Sequence, residues 1–91
     1  MQIQLTDAFV KDLCRLPKPI QKRIVETVAQ CETVEDVTDI AHYKPLHSKK
    51  NRVFFRIRIG SHRIGVQIID DTLIFQAIGN RGDFYKTYPP K

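Results

Sequence analysis

Three runs of alternating residues, joined by two short turns, fill most of the second half of the chain and constrain its fold more than any other feature. The first run spans residues 53–59, Gly60-Ser61 separates it from the second, and Asp70-Asp71 separates the second from the third, at residues 72–79. A period of two is typical of strands that bury one face, and short polar turns indicate antiparallel pairing. The sequence therefore predicts a three-stranded antiparallel meander. Its apolar positions are Val53, Phe55, Ile57 and Ile59, then Ile64, Val66 and Ile68, then Leu73, Phe75 and Ala77.

The two turns also predict which residues face each other across the strands. A two-residue loop at Gly60-Ser61 pairs positions 59/62, 58/63, 57/64, 56/65, 55/66 and 54/67. A loop at Asp70-Asp71 pairs positions 68/73, 66/75 and 64/77. Both registers set apolar residues opposite apolar residues, so they agree on one buried face.

The first half of the chain predicts a strand followed by helices. Residues 1–5 alternate weakly and indicate a short strand. Thr6 and Asp7 are good N-cap residues for a helix over residues 7–16, which Pro17 ends. The apolar stripe of this helix is Phe9, Leu13 and Leu16.

A second helix begins near Pro19, which suits a first turn, and runs to Gln30 or Cys31. Residues 34–42 predict one more helical turn, and a polar run around residues 41–52 has the composition of a linker. The predicted fold class is α+β, with an N-terminal strand and a helical hairpin packed on an antiparallel sheet. The stripe of the second helix is Ile20, Ile24, Val28 and Cys31.

The charge of the chain is unevenly placed. Its 91 residues carry 15 Lys and Arg against 10 Asp and Glu, a formal net charge of +5. Residues 1–43 have a net charge of −2, whereas residues 44–91 have a net charge of +7. A chain of this length predicts a single domain over residues 1–91. Its charge favours an anionic partner, such as nucleic acid, that contacts the second half.

Several classes of site and location are not indicated by the sequence. No apolar stretch approaches the roughly 20 residues that span a bilayer, and the N-terminus does not resemble a secretory signal. Cys14 and Cys31 lack metal-site or redox spacing and are expected as buried apolar groups on helices. His42, His47 and His62 lack the spacing of a zinc site. We therefore expect a cytoplasmic protein with no metal and no cofactor.

The predicted register brings arginines together on the outer face of the sheet. Arg58 stands directly opposite Arg63, and like charges in such positions destabilise a sheet. Arg56 adds a third guanidinium opposite Gly65, whose missing side chain is expected to leave open space. Arg81 follows the third strand at the same end. A solvated basic face would explain scattered charges, but convergent arginine forks suit a phosphate, so the cluster predicts an anion site, most simply for a phosphodiester.

Four segments of the chain share their order and spacing with one family. They are the run from Phe9 to Pro17, the run from Phe55 to Gly65, the Asp70-Asp71 turn, and the run from Ile78 to Tyr85. Together they resemble the RelE/ParE superfamily of bacterial toxins over nearly the whole chain. The resemblance implies a RelE-like β-α-α-β-β-β fold and a toxin that a cognate antitoxin holds inactive. RelE-like members cut mRNA in the ribosomal decoding site, whereas ParE-like members act on DNA gyrase.

The resemblance also implies a catalytic set. Arg56 and Arg58 fall where RelE-like nucleases have basic residues of a strand, often lysines. Arg63 matches a strand arginine, Arg81 the arginine after the last core strand, and Tyr85 a tyrosine near the C-terminus. Metal-free RNA cleavage requires activation of the 2′-hydroxyl and stabilisation of charge on the phosphate. Arginine can stabilise the charge but stays protonated, so it is a poor base.

The residue that activates the 2′-hydroxyl therefore stays open. Tyr85 is the first candidate for acid–base work or for stacking on a nucleobase, and His62 is the second. C-terminal packing would equally explain Tyr85, and an edge position at the hairpin turn would explain His62. The predicted RNA-binding residues are His62, Lys49, Lys50 and Arg52, although a solvated loop explains the last three as well.

Three functions remain in competition. The leading hypothesis is a ribosome-dependent mRNA endonuclease with the ribosome and mRNA as partners. The second is a toxin without catalysis, either a ParE-like toxin acting on DNA gyrase or one that only blocks translation. The third is a basic RNA-binding or ribosome-binding module that is not a toxin.

Overall fold

A five-stranded sheet is the centre of the fold in the described residues, 1–46 and 53–90, of the computed structural model. Its strands are β1 (Gln2–Leu5), β2 (Tyr43–Pro45), β3 (Val53–Ile59), β4 (His62–Ile69) and β5 (Thr72–Asn80). They lie in the order β1-β5-β4-β3-β2. Strand β1 is parallel to β5, and the other neighbouring pairs are antiparallel. The predicted α+β class and the meander β3-β4-β5 are confirmed. Strand β2 is an addition, because it lies in the segment whose composition indicated a linker.

Helices α1 (Asp7–Cys14) and α2 (Lys18–Cys31) follow β1 and form the predicted hairpin. Thr6 is the N-cap of α1, and its Oγ1 accepts a hydrogen bond from the backbone N–H of Phe9 at 3.2 Å. Helix α1 ends two residues earlier than predicted. Pro17 is the N-cap of α2, and Pro19 lies in its first turn, where a missing N–H leaves no helical hydrogen bond unmade.

Two shorter helical segments complete the described chain. A 3₁₀ helix at Val37–Asp39 lies inside the segment predicted to add one turn. Helix α3 (Phe84–Thr87) follows β5 and was not expected from the sequence. At four residues α3 is too short to show an apolar period, so its position depends on tertiary contacts.

The main core lies between the two long helices and one face of the sheet. Both predicted helical stripes face it, and the rings of Phe9 and Phe75 meet edge to face at 5.6 Å. Burial raises the pKa of the Cys31 thiol to about 11. Cys14, also expected to be buried, is exposed. The buried members are Phe9, Ile24, Cys31, Ile40, Phe55, Ile57, Ile59, Ile64, Val66, Leu73 and Phe75.

The β3–β4 hairpin has the predicted register throughout, including Arg58 opposite Arg63. Gly60 in its turn has a φ of 59°, in the left-handed region that glycine adopts without a steric penalty. The alternation of the sequence and the geometry of the turn therefore specify the same pairing.

The β4–β5 register follows the prediction only as far as the pair Val66 and Phe75. A bulge follows, and Ile64 then pairs with Ile78, so the predicted 64/77 pairing is wrong. One extra residue on a strand exchanges the two faces beyond it. Ile78 therefore takes the core position expected for Ala77, and Ala77 turns to the face away from α1 and α2, here called the outer face.

The extra residue of the bulge, Gln76, joins a hydrogen-bonded network on the outer face. Its Oε1 accepts a hydrogen bond from the Tyr88 hydroxyl at 2.7 Å, and its Nε2 donates to Gln67 Oε1 at 2.8 Å. Tyr88 also packs with Phe54 and Phe84 in a second apolar cluster. The segment after β5 thus closes over this face of the sheet.

Gly65 makes room for this closure. A Cβ at position 65 would lie 2.6 Å from two ring carbons of Tyr88, which is closer than such atoms can approach. The expected open space opposite Arg56 is therefore wrong, because the Tyr88 ring fills it.

The close approach at Gly65 predicts the effect of adding one methyl group. Gly65→Ala should lower the free energy of unfolding by about 1–3 kcal/mol, the usual cost of overpacking a filled site. Gly82→Ala is the matched control, because nothing lies within 4 Å of a Cβ there. Denaturant unfolding measures both variants, and equal midpoints would show that Tyr88 does not fill this space.

The buried phenol predicts a pH dependence. Burial raises the pKa of Tyr88 above its usual value near 10, so the folded state disfavours the phenolate. The resulting stability is complete below about pH 10 and declines above it, because the unfolded chain loses this proton first. Unfolding free energies from pH 8 to pH 11 should decline less steeply for Tyr88→Phe than for the unmodified chain. Identical slopes would contradict the assignment.

Candidate anion-binding site

Three arginines converge where the β3–β4 turn meets the end of β5. Arg58 and Arg63 stand opposite each other, directly next to the Ile59–His62 pair that closes the hairpin. Arg81 directly follows β5, and its backbone N–H donates to the Ser61 carbonyl at 3.0 Å. This hydrogen bond ties the start of the final segment to the hairpin turn.

A fourth arginine comes from helix α2. A Cβ at Gly60 would lie 3.3 Å from Nη1 of Arg23, so the Arg23 guanidinium rests against the hairpin turn. The sequence places Arg23 on the outward side of α2. Only the packing of the helix on the sheet shows that this side faces the turn.

These arginines line one cleft of 560 Å³, here called the arginine cleft. Among the described residues, none of the four guanidinium groups pairs with a carboxylate, and Lys86–Asp83 is the one ion pair. Unpaired positive charges in a concave site strengthen the positive electrostatic potential there, which attracts anions. The residues lining the cleft are Arg23, His42, Arg58, Gly60, Ser61, Arg63 and Arg81.

Arg63 is the most firmly held of the four. Its side chain is 9% exposed, and its Nη1 donates to the backbone carbonyls of Gly60 at 3.2 Å and His62 at 3.1 Å. Arg58, by contrast, is exposed. The cleft therefore combines one buried, preorganised guanidinium with exposed donors at its rim, which suits a phosphate that is desolvated on one side.

Arg56 shares the outer face but does not line the arginine cleft. Its Nη1 donates to the His42 carbonyl at 3.2 Å, and its Nε is buried without a hydrogen-bond partner in the described structure. Arg56 thus contacts the backbone that carries His42. The geometry brings Arg58, Arg63 and Arg81 together and leaves Arg56 beside them.

His62 and Tyr85 are not among the residues that line the cleft. His62 is on the side of β4 that faces the helices, and it lines a separate groove with Asp12 of α1 and Leu16, which follows that helix. Tyr85 is 48% exposed, and its ring meets the ring of Phe84 edge to face at 5.2 Å. Neither side chain lines the arginine cleft.

The remaining predicted RNA contacts, Lys49, Lys50 and Arg52, lie outside the described residues. Two cleft residues, Arg23 and His42, were missed as site residues. In the sequence, Arg23 has the pattern of an ordinary solvated position on a helix. A single histidine such as His42 forms no recognisable sequence motif. Among the described residues, no cluster of His, Cys, Asp or Glu could hold a metal ion, and no helix is long and apolar enough to cross a membrane.

Comparison with known proteins gives the family. The family model for the ParE toxin of the type II toxin–antitoxin system parDE matches residues 3–85. Toxin RelE3 of Methanocaldococcus jannaschii is 32% identical over 90 residues, which cover 98% of this chain and all of that protein. The matched span extends through both halves of the chain.

Solved structures agree with the observed fold. The RelB–RelE antitoxin–toxin complex from Methanococcus jannaschii has a TM-score of 0.76 at 30% identity, covering 94% of this chain and 99% of that one. An archaeal RelE–RelB complex from Pyrococcus horikoshii has a TM-score of 0.75 at 20% identity, with coverages of 91% and 97%, a likeness of fold. These matches show that the chain belongs to the RelE/ParE superfamily of toxins from type II toxin–antitoxin systems, the family that its segments resemble in the sequence.

Proposed function

We propose that this toxin is a ribosome-dependent mRNA endonuclease that inhibits translation by metal-free phosphodiester cleavage. The observation that supports this proposal is the arginine cleft, where Arg23, Arg58, Arg63 and Arg81 meet without a carboxylate partner among the described residues. A nucleic acid backbone presents one phosphate per nucleotide, and guanidinium forks bind phosphate oxygens in pairs. The cleft thus suits an RNA phosphate.

The arginines would stabilise the negative charge of the reacting phosphate. When the 2′-oxygen attacks phosphorus, negative charge grows on the phosphate oxygens, and fixed donors aimed at it lower the barrier. Arg63 fits this role because its position is set before substrate arrives, by two carbonyls of the hairpin. Arg58 and Arg81 are exposed and would grip the phosphate from the rim.

Other predicted site residues take supporting roles in this proposal. Tyr85 lies four positions after Arg81 and is exposed enough to stack on a nucleobase next to the cleft. Lys49, Lys50 and Arg52 would extend contacts along the RNA backbone. His62 is left out of the proposal, because it lies on the helix-facing side of the sheet.

A cognate antitoxin is the proposed protein partner. The solved relatives from Methanococcus jannaschii and Pyrococcus horikoshii are complexes of a RelE toxin with a RelB antitoxin. An acidic antitoxin segment that folds on binding would neutralise the unpaired arginines and exclude RNA. The proposed target, the translating ribosome, places the toxin in the cytoplasm.

A second candidate is a toxin without catalysis that acts on DNA gyrase. The match to the ParE family model favours it, and so does the position of Tyr85 outside the arginine cleft. Primer extension on transcripts after induction separates the two functions. Codon-phased cuts support the nuclease, whereas DNA damage with intact transcripts supports action on gyrase.

Removal of a rim arginine should weaken the toxin. Arg58→Ala and Arg81→Ala should each reduce the cleavage rate by about 10²–10³-fold, the usual cost of losing one donor to developing charge. Both side chains are exposed, so the fold should be retained. Growth after induction in a host without antitoxin, together with thermal unfolding, measures both effects.

The matched control is Arg15→Ala, which removes an exposed arginine that lies outside the arginine cleft. This variant should arrest growth as the unmodified toxin does. Full toxicity of both Arg58→Ala and Arg81→Ala would contradict the assignment of the site. Tyr85→Phe separates stacking from acid–base work. A phenyl ring still stacks, so this variant should stay active if Tyr85 only stacks on a nucleobase. An inactive variant would instead indicate acid–base work by the hydroxyl.

A further inference from the structure

The arginine cleft lacks an obvious proton acceptor. A guanidinium stays protonated in proteins, so the four arginines cannot take the proton of a 2′-hydroxyl. Tyr85 and His62 do not line the cleft. A titratable residue that lines the cleft itself is therefore the stronger candidate for the base.

His42 is the remaining titratable side chain among the described residues that line the arginine cleft. It also lines an adjoining groove of 200 Å³ between α2 and β3, so this residue lies where the two spaces meet. His42 is exposed, so solvent and solutes have access to it. Imidazole is the side chain best suited to exchange protons near neutral pH.

The backbone of His42 is held in the left-handed region, which residues other than glycine adopt uncommonly. Its φ is 62°, and it is the third residue of a turn in which the Tyr43 N–H donates to the Ile40 carbonyl at 3.3 Å. Glycine or asparagine is usual at a turn position with positive φ. A residue with a Cβ is strained there, and such strain is concentrated at functional sites.

The strained conformation is anchored from strand β3. The His42 carbonyl accepts hydrogen bonds from Nη1 of Arg56 at 3.2 Å and from the backbone N–H of Arg58 at 3.3 Å. Ile40, at the start of the turn, is buried in the main core. These contacts fix the backbone at position 42 against strand β3.

We propose that His42 is the general base of the cleft, taking the proton of the RNA 2′-hydroxyl next to the phosphate that the arginines hold. This assignment rests on the proposed nuclease function. The neutral imidazole accepts the proton as the 2′-oxygen forms a bond to phosphorus. The bond between phosphorus and the 5′-oxygen breaks, and the leaving oxygen takes a proton from water.

The products are a 2′,3′-cyclic phosphate on one fragment and a 5′-hydroxyl on the other. The hydroxide left by the water then takes the proton from the imidazolium, which restores the neutral base. Electrons and protons balance without a metal or a redox partner.

Several charged or titratable groups share the two spaces with His42. Positive side chains reach the shared space from α2, β3 and β4 and from the end of β5, and one carboxylate comes from α2. Burial raises the pKa of the neighbouring Cys31 thiol to about 11, so this group stays neutral at working pH. The charged or titratable groups that line the two spaces with His42 are Arg23, Glu26, Cys31, Arg58, Arg63 and Arg81.

The test is the variant His42→Asn, which removes the imidazole and adopts positive φ readily. Single-turnover cleavage of mRNA on ribosomes is measured from pH 5.5 to 8.5 for the unmodified toxin, for His42→Asn and for Arg15→Ala. The unmodified toxin and Arg15→Ala should show a rate that rises with pH and then levels. His42→Asn should cut about 10²–10⁴-fold more slowly, without that rise, and with an equal or higher Tm.

Several results would overturn the assignment. They are cleavage by His42→Asn at the unmodified rate, the same pH profile in both proteins, or a lost activity that comes with a lower Tm. If the increase of the cleavage rate with pH is lost in His62→Asn but kept in His42→Asn, the base is His62. A toxin that leaves ribosome-bound mRNA uncut in its unmodified form would instead contradict the nuclease proposal itself.

Discussion

Arg58 and Arg63 face each other across strands β3 and β4, and the geometry of the site depends on this pairing. Like charges in directly opposed positions cost a sheet several tenths of a kcal/mol to about 1 kcal/mol. The fold limits the cost by turning Nη1 of Arg63 toward two carbonyl oxygens while Arg58 remains in water. Arg23 and Arg81 then bring further positive charge to the same cleft. An anion bound among these groups would replace repulsion by attraction, so the unliganded site is electrostatically prepared for its ligand.

The outer face of the sheet is divided between this basic end and an aromatic region. The bulge at Gln76 makes the division possible, because it turns Ala77 outward and supplies an amide that holds the Tyr88 hydroxyl. Phe84 contacts Gly79, which pairs with Arg63 across the strands. The aromatic region therefore lies beside the strand pair that carries Arg63, and a buried guanidinium such as this one interacts more strongly with developing charge.

Much of the fold could be predicted from the sequence, because alternation and turn length together fix the register of β3 and β4 and the stripes of α1 and α2. The bulge could not, since one extra residue leaves the local alternation nearly unchanged and becomes visible only through pairing. The pairing of Arg58 with Arg63 follows from register and was predictable. The positions of Arg23 and His42 could not be predicted, because they depend on how α2 packs on the sheet and on how β2 pairs with β3.

The central claim is that the arginine cleft binds the scissile phosphate. The direct measurement is a structure of the toxin on a ribosome carrying mRNA with a 2′-deoxy sugar at the cleavage position, which blocks attack but leaves the phosphate in place. The account predicts phosphate oxygens within hydrogen-bond distance of the guanidinium groups of Arg58, Arg63 and Arg81, with His42 beside the modified sugar. An mRNA seated on another surface, with the arginines of the cleft in solvent, would contradict it.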